Sequence, residues 1–363
     1  MVAVASVFWV AVGALAWTHV GYPVVARAAA RIRPRGIRRA DITPTVAVIV
    51  AAHNEESVIE RRVQNLRALD YPSDRLEIVV TSDASTDATD ELAAAAGARV
   101  VANPRGGKVA AQNNAVRATA SDVVAFSDAN CTWAPDALRK LVRNFADPDI
   151  AYVCGRLNLE ADDGRNKEGL YWRFELSLRA DESKLDSVTG GNGSIYALPR
   201  SEYVEVDPRF GHDLSLPYVM VQRGKRAVYE PEANAYEKAT PTTEDEYRRK
   251  VRMFEHCWAI VLEGKMLRRL RPLYLVEIVS HRHLRYASGP LHVIALAANV
   301  ALIDQGVVYP VALGLQLGLL LAAVLKVGIA RYYVLVTWAT VVALWNYARR
   351  GVATTWDVAE GTR

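Results

Sequence analysis

Apolar runs and helical patterns alternate along residues 46–130, and no other feature of the sequence constrains the fold as strongly. Four runs rich in β-branched residues occur within 45–56, 76–86, 98–102 and 122–130, and segments with helical spacing separate them at 56–69, 87–97 and 108–119. A continuous apolar run is typical of a strand buried on both faces of a parallel sheet. Because short links join strands and helices, the sequence predicts an α/β fold, a doubly wound, mostly parallel sheet.

Polar residues stand at the ends of three of these predicted strands. In open parallel sheets, ligands bind at the carboxyl ends of the strands, so these residues are expected along one rim. Neither GxGxxG nor GxxxxGK[ST] follows the first strand, so a dinucleotide or P-loop site is not expected. The rim residues are His53, Asn54, Glu55, Asp83, Asp87, Asp128 and Asn130.

Asp128 and Asn130 allow two interpretations. Both are common turn residues after a strand, and both supply oxygen ligands for a hard divalent cation. A rim of carboxylates without a phosphate-binding loop would repel a diphosphate, unless Mg²⁺ or Mn²⁺ bridged the two. The tripeptide alone leaves the turn and the metal site equally open. Asp87 is expected to cap the following helix rather than to bind a ligand.

The N-terminal segment is long, apolar and uncharged. Residues 2–26 contain no Asp, Glu, Lys or Arg, and at about 1.5 Å per residue this length spans a bilayer. A signal peptide is the alternative, but it would start with basic residues and have a shorter core. We therefore predict a transmembrane anchor at 1–30. Six arginines follow between 27 and 39, which predicts that this side is cytoplasmic.

The C-terminal region is also apolar. Segments at about 287–305, 307–327 and 332–348 are candidate membrane spans, and the first is the weakest. Three full spans would place Arg349 and Arg350 outside, against the positive-inside rule, so two or three spans both remain open. The predicted organisation is a cytoplasmic domain at 42–270, an interfacial amphipathic helix at 271–286, a transmembrane region at 287–348 and a tail at 349–363.

Composition excludes several classes of protein. The net charge of +4 gives no reason to expect nucleic acid as a partner. The three cysteines, Cys131, Cys154 and Cys257, are too far apart for a CxxC metal site and too few for a disulfide framework. Apart from Asp304, the C-terminal spans contain little charge, so a solute channel made by this chain alone is not expected.

The whole pattern resembles the family 2 glycosyltransferases of the GT-A fold. The resemblance rests on "VIVAAHNEE", "VVTSDASTDAT", "GGK" before a helix and "FSDAN", in that order across roughly 45–215. The flanking apolar segments match the membrane-bound bacterial branch of this family. The resemblance implies an inverting, metal-dependent transferase that uses a nucleotide-diphosphate sugar, usually a UDP-sugar. The implied location is the inner, or plasma, membrane, as a multi-pass protein with a cytoplasmic catalytic domain.

The resemblance also implies roles for individual residues. Asp128 would hold Mg²⁺ or Mn²⁺, with Asn130 in place of a second Asp, and the neutral amide would lower metal affinity. Lys108 stands where the family has a basic residue beside the nucleotide, although a solvated surface lysine is the alternative. The implied nucleotide-sugar-binding residues are Ala52, His53, Asn54, Glu55, Asp83, Lys108, Asp128, Gly191 and Asn192.

The second half contains the expected catalytic base. "RFGHDLSLPYVMV" matches the family stretch in which two acids precede an apolar helix, and Asp213 occupies the position of the second acid. A carboxylate there would take the proton from the acceptor hydroxyl. His212 replaces the first acid; it could act as the base, tune Asp213, or face solvent at a helix start.

Two further stretches match less completely. "GGNGS" around Asn192 is the family's glycine-rich stretch near donor and acceptor, or simply a turn before a strand. Arg252, and less so Arg249, stands where polymer-forming members have QxxRW, but the Gln and Trp are missing. Arg252 is expected near the diphosphate, and contact with acidic lipid headgroups is an equal alternative.

The leading hypothesis is therefore an enzyme that transfers sugar to a polysaccharide or a lipid-linked acceptor at the lipid bilayer. The alternative is a non-catalytic or partner-dependent membrane component of polysaccharide synthesis and export, with an oligomer possible. A degenerate scaffold would be expected to lack Asp128 or Asp213, and both are present. The sugar, the acceptor and the linkage are not encoded in any recognisable motif.

Overall fold

The structure is a computed structural model that describes residues 1–160, 169–238 and 243–352. The predicted C-terminal tail at 349–363 lies outside the described residues from 353 onward.

Eight strands form one mixed sheet in the order β3-β2-β1-β4-β7-β6-β8-β5. The first four are mutually parallel, β6 and β8 are parallel, and β7 and β5 run antiparallel to their neighbours. The strands are β1 Val46–Ala52, β2 Leu76–Asp83, β3 Arg99–Asn103, β4 Val123–Asp128, β5 Thr132–Trp133, β6 Ile150–Glu160, β7 Tyr196–Pro199 and β8 Arg226–Lys238.

Fourteen α-helices are present in the described residues. They are α1 Val2–Ala16, α2 Tyr22–Ile32, α3 Ile59–Arg67, α4 Thr89–Ala95, α5 Lys108–Ala118, α6 Ala137–Val142, α7 Leu170–Leu185, α8 His212–Gln222, α9 Thr243–Glu263, α10 Pro272–Ile278, α11 Leu284–Tyr286, α12 Ser288–Ala301, α13 Val308–Val324 and α14 Gly328–Arg350. A π-helical turn joins α1 to α2, and another joins α10 to α11.

The chain divides into two compact units. The α/β unit comprises the described residues within 26–238 together with 264–274, and the helical unit comprises 1–25, 243–263 and 275–352. The sequence analysis placed all of 42–270 in one domain, whereas α9 groups with the helical unit. Trp258 of α9 donates a hydrogen bond to the carbonyl of Thr340 in α14, at 3.0 Å.

The sheet of the α/β unit is buried on both faces. Val46, Val48 and Val50 of β1 point into one apolar core, while Ala47 and Ile49 point into the other. Successive side chains of a strand point to opposite faces, so an unbroken apolar run is what a strand between two layers requires. The predicted α/β fold with a mostly parallel sheet is confirmed.

The arginine-rich segment after α2 is fastened to the α/β unit. Arg35 pairs with Asp149 and Asp186 at 3.2 and 3.3 Å. The buried guanidinium of Arg226 donates hydrogen bonds to the carbonyl oxygens of Arg35 and Gly36. Arginines that the sequence analysis used only to predict orientation in a membrane therefore also make fixed contacts with protein.

Two helical segments of the described residues are long and apolar enough to cross a membrane. They are Val2–Ile32 and Gly328–Arg350, whereas Ser288–Ala301 and Val308–Val324 are apolar but shorter. Phe8 of the first helix packs on Ala298 and Leu302. All of the predicted apolar segments are helical, but their placement in a bilayer remains a prediction.

Candidate active site

The carboxyl ends of β2, β1 and β4 lie side by side at one edge of the sheet. The register pairs Ala52 with Ser82 and Ala51 with Asp128. The polar residues that follow these strands therefore emerge next to one another, as expected for a binding site in an open sheet.

Lys108 and Asp128 form an ion pair at the centre of this edge. Lys108 is the first residue of α5, and its ammonium contacts Oδ1 of Asp128, the last residue of β4. Oδ2 of Asp128 accepts a hydrogen bond from the hydroxyl of Ser194 at 3.1 Å. Both charged side chains are largely covered, with 22% and 28% of their surfaces exposed, so Lys108 is not the solvated surface lysine that was the alternative.

The charge on Lys108 is stabilised by three carboxylates. Burial by itself would lower the pKa of Lys108, but Asp128 opposes this through its charge and its hydrogen bond, and Asp213 and Glu237 add to the effect. The net result is a raised pKa, so Lys108 stays cationic at neutral pH. The charges of Asp128 from β4, Asp213 from α8 and Glu237 from β8 therefore all stabilise one ammonium.

Asp213 lies in the first turn of α8 and is linked to the glycine-rich loop. The Gly191 N–H donates a hydrogen bond to the backbone carbonyl of Asp213 at 2.7 Å. A Cβ at Gly211 would come within 2.6 Å of Asp213 Oδ1, so glycine leaves space for the carboxylate. The predicted base and the predicted loop thus share one local structure.

His212 is buried, not exposed at a helix start. Its Nδ1 lies 3.0 Å from the hydroxyl of Tyr196, and its Nε2 lies 3.3 Å from that of Tyr203. Burial, followed by the charge of Lys108, lowers the pKa of His212 to about 3. The solvent-facing alternative is wrong, because the ring is enclosed. A neutral imidazole with both nitrogens occupied is also a poor general base, which favours Asp213.

The loop around Asn192 is shaped by its own backbone contacts. The Asn192 side chain donates to the carbonyl of Gly155 at 2.7 Å and accepts from the N–H groups of Ser194 and Ile195. Gly191 lies against Tyr152, whose hydroxyl a Cβ at that position would overlap. Asn192 is thus placed as a residue that holds the loop, and its amide is engaged by the backbone.

Asp83 organises the loop that leads into Lys108. Its carboxylate accepts hydrogen bonds from the N–H groups of Gly106 and Gly107 at 2.7 and 3.0 Å, and pairs with Arg105 at 2.8 Å. His53 Nδ1 lies 2.8 Å from the Asp83 carbonyl. The predicted contact of Asp83 with a base or ribose remains a prediction. The observed partners of its carboxylate belong to the Arg-Gly-Gly loop.

The loops after β1 and β2 hold each other in place. Asn54 adopts a left-handed conformation at φ 55°, and its side-chain oxygen accepts from the Thr86 N–H at 2.8 Å. The Glu55 N–H donates to the Thr89 hydroxyl at 2.7 Å. Asp87 accepts from the N–H of Thr89, the first residue of α4, but the N-cap position itself is Ala88. Ala52, the last residue of β1, is buried beneath this rim.

Two side chains that the sequence analysis missed complete this cluster. Ser194 contacts Asp128, and Glu237 lies 3.1 Å from the side-chain amide of Asn130 and 3.2 Å from the Ser194 hydroxyl. Glu237 is near the end of β8, so it too is a polar residue at a strand end. Asn130 and Glu237 are 107 residues apart in the sequence, and no sequence pattern indicates that they lie close together in space.

Arg252 lies on α9, in the helical unit. Arg249, on the same helix, pairs with Glu246 at 2.9 Å. The proposed contact of Arg252 with a diphosphate stays a prediction.

The oxygen atoms around Asp128 suit a hard divalent cation. The candidate donors are the carboxylates of Asp128 and Glu237 and the amide oxygen of Asn130, and Mg²⁺ and Mn²⁺ prefer such ligands. Gly193 preserves space beside them, since its Cβ would lie 3.2 Å from Lys108 Nζ and 3.6 Å from Asp128 Oδ2. In the described part of the chain, His, Cys, Asp and Glu side chains by themselves form no group of three or more that could hold a metal ion. The candidate set therefore depends on the amide oxygen of Asn130 as its third donor.

The model of the family "Glycosyl transferase family 2" matches residues 47–203. This match covers β1 to β4, the Lys108–Asp128 pair and the glycine-rich loop. Residues 47–203 are a family 2 glycosyl transferase domain. The resemblance stated from the sequence is therefore confirmed for this domain.

A mannosyltransferase from Pyrobaculum calidifontis, solved in complex with GDP-Man and Mn²⁺, has a similar structure. The TM-score is 0.74, the sequence identity is 24%, and the likeness covers 94% of this chain and 99% of that one. At this identity the likeness concerns the fold alone, and together with the family 2 match it establishes the GT-A fold of the α/β unit.

Curated relatives match the family 2 domain over part of their length. A β-monoglucosyldiacylglycerol synthase from Synechocystis sp. is 36% identical over 164 residues, which is 42% of this chain and 33% of that protein. A pre-mycofactocin glycosyltransferase from Mycobacterium tuberculosis is 27% identical over 212 residues, 54% of this chain and 43% of that protein. The chain thus spans less than half of the length of these two relatives.

Proposed function

We propose that this protein is a metal-dependent, inverting glycosyltransferase that moves a sugar from a nucleotide-diphosphate donor to a membrane-associated acceptor. The observation that carries the proposal is the cluster at the sheet edge. Lys108, Asp128 and Asp213 come from α5, β4 and α8, and the charges of both carboxylates act on the same ammonium. A site for a diphosphate with its cation and a site for a base therefore adjoin within the family 2 domain and the helix that follows it.

Asp213 is proposed as the general base. It takes the proton from the acceptor hydroxyl while that oxygen bonds to the anomeric carbon and the bond from this carbon to the diphosphate oxygen breaks. Attack from the face opposite the diphosphate inverts the configuration, and the nucleoside diphosphate leaves with the bonding electrons.

Asp128 and Asn130 are proposed to hold Mg²⁺ or Mn²⁺, which neutralises the charge that develops on the leaving diphosphate. Lys108 is proposed to contact the diphosphate as well, because an ammonium in a partly dry site binds phosphate oxygens strongly. Asn54, Glu55 and the loop organised by Asp83 form the wall of the nucleotide site.

The acceptor is proposed to be a lipid or a lipid-linked sugar, with a polysaccharide as the other candidate. The helical unit exposes large apolar side chains such as Leu315, Leu321 and Val324, which supports contact with a bilayer. A relative is named for a glycolipid synthesis. We propose a multi-pass protein of the inner membrane with the α/β unit in the cytoplasm, and a protease-protection assay on oriented vesicles would test this orientation.

The test uses the purified full-length chain in detergent with Mn²⁺ and a panel of UDP- and GDP-sugars, and measures release of nucleoside diphosphate. Asp128→Asn and Asp213→Asn are each expected to lower turnover by a factor of at least about 100, the range attributed to one positioned catalytic group. The matched control is Asp74→Asn. Asp74 is exposed and lies just before the start of β2, whereas the site lies at the end of this strand.

Full turnover in both site variants would overturn the assigned roles. Absence of turnover in the wild type with every donor would favour the alternative, a non-catalytic component of polysaccharide synthesis and export.

A further inference from the structure

A short strand brings Glu237 to the candidate metal site. β5, Thr132–Trp133, begins two residues after Asn130 and pairs antiparallel with the end of β8, with Thr132 opposite Tyr236. This register places Glu237 beside the residues that precede β5. The Asn130 amide donates to Glu237 Oε1 at 3.1 Å.

One hydroxyl stands between two carboxylates at this point. Ser194 Oγ is 3.1 Å from Asp128 Oδ2 and 3.2 Å from Glu237 Oε2. A serine hydroxyl has a single proton to donate. One of the two carboxylates therefore faces the lone pairs of Ser194 at hydrogen-bonding distance without a proton between them, and a cation beside the hydroxyl would relieve that contact.

The local charge also favours a further cation. The carboxylates of Asp128, Asp213 and Glu237 all act on Lys108, and Asp128 acts on the buried Arg62. These three carboxylates act at one partly buried site, where their charges attract a cation more strongly than they would in water.

We propose that Glu237 is a third protein ligand of the divalent cation, together with Asp128 and Asn130. This inference rests on the proposed function, which supplies the cation, and it adds an anionic ligand from the far edge of the sheet. The amide of Asn130 is a neutral ligand. Glu237 adds a negative charge beside it, so a cation would be held by the ends of β4 and β8 at once.

The direct test measures binding of Mn²⁺, with Mn²⁺ alone as the probe. The electron paramagnetic resonance signal of the free ion reports how much of it is bound. The full-length protein in detergent is compared with Glu237→Gln. Glu232→Gln is the control, since Glu232 lies on the same strand and pairs with Lys140 and Arg143. Glu237→Gln is expected to weaken binding at least about tenfold, the lower end of what even outer partners of a metal contribute, and the control is not.

Affinity of Glu237→Gln within twofold of the wild type would overturn the proposal. Asp128→Asn measured in parallel separates this failure from a failure of the proposed function. If Asp128→Asn loses Mn²⁺ while Glu237→Gln keeps it, the metal site stands without Glu237. If both variants keep it, the metal site of the proposed function is overturned as well.

A second variant distinguishes a ligand from a residue that only orients Asn130. In Glu237→Cys, a thiolate in the coordination sphere favours the softer Cd²⁺ over Mn²⁺. We expect the ratio of Cd²⁺ to Mn²⁺ affinity to rise at least about tenfold over the wild type. An equal loss of both ions would overturn direct ligation.

Discussion

At the scale of single residues, the pair formed by Lys108 and Asp128 is the most informative feature of the site. The carboxylate that is proposed to bind a metal is in contact with an ammonium through Oδ1. A metal that took the place of this ammonium would release Lys108 to contact a diphosphate. The two charges would therefore exchange partners when donor and metal bind.

Lys108→Met tests this exchange. Without the ammonium, the direct contact that competes for Asp128 is removed, so binding of Mn²⁺ alone is expected to tighten several-fold. Turnover efficiency with the donor is expected to fall at least about tenfold, because a charge-assisted hydrogen bond worth roughly 1.5–3 kcal/mol is lost. Spin resonance and steady-state kinetics measure the two effects, and Lys184→Met, at an exposed lysine, is the control. Unchanged values of both would contradict the exchange.

His212 makes stability depend on pH. Its folded-state pKa of about 3 lies below the ordinary value of 6.5, so the folded protein favours the neutral ring and unfolding takes up a proton below pH 6.5. The neutral ring therefore contributes to the free energy of unfolding, and this contribution is complete above pH 6.5. It is lost, at about 1.4 kcal/mol per pH unit, as the pH falls toward 3.

His212→Gln keeps a neutral hydrogen-bonding side chain and removes this titration. The measurement is the melting temperature of both proteins at pH 7 and at pH 4.5. We expect it to fall between these pH values in both, and to fall less in the variant than in the wild type. Equal decreases in both proteins would assign the acid sensitivity to other groups.

At the scale of elements, the glycine-rich loop and the start of α8 behave as one piece of structure. Gly191 lies against the Tyr152 hydroxyl and bonds to the backbone of Asp213. The Tyr152 hydroxyl is buried and makes no hydrogen bond within the described residues. The position of the proposed base therefore depends on how closely this loop approaches β6.

Gly191→Ala tests that dependence. The added methyl group overlaps the Tyr152 hydroxyl, and overpacking of this kind costs about 1–3 kcal/mol. Tyr152→Phe alone is expected to be nearly neutral, since it removes a hydroxyl without a partner. It should recover part of the cost in the double variant. Denaturant unfolding of the wild type, the two single variants and the double variant measures this coupling. If the changes in the free energy of unfolding are strictly additive, the hydroxyl is not the obstacle.

At the scale of the whole molecule, an α/β unit is combined with a unit of apolar helices. Helices α12 and α13 are short for a full span, while Val2–Ile32 and α14 are long enough. Several leucine and valine side chains on α13 are exposed, among them Leu315 at 72% and Val324 at 75%. Burial in lipid is the simplest way to remove that surface from water.

Leu315→Arg tests whether α13 lies in the bilayer. Leu315 is 72% exposed, and an arginine near the centre of a membrane helix costs about 2.5–3.5 kcal/mol on insertion scales. The variant is expected to be recovered from carbonate-washed membranes in lower amount than the wild type, and Leu315→Met is the apolar control. Release of the wild type itself by the carbonate wash would contradict membrane insertion.

Local patterns were sufficient to predict much of the fold. The runs ending at Asp83 and Asp128 were recognisable as buried strands because burial on both faces requires unbroken apolar sequence. The helix beginning at Lys108 was recognisable from its spacing. The match of the family 2 domain agrees with the order of these motifs.

The sequence by itself determined the parallel strands β1 to β4, most of the helices and the polar residues at the strand ends, because each depends on neighbours a few positions away. It did not predict β5 or β6. Only the tertiary structure decided that Glu237 meets Asn130, that tyrosines enclose His212 and that Asp83 is occupied by the Arg-Gly-Gly loop. These contacts follow from the strand order and from the pairing of β5 with β8. Pairing of distant strands depends on long-range packing, for which no short stretch of sequence carries a signal.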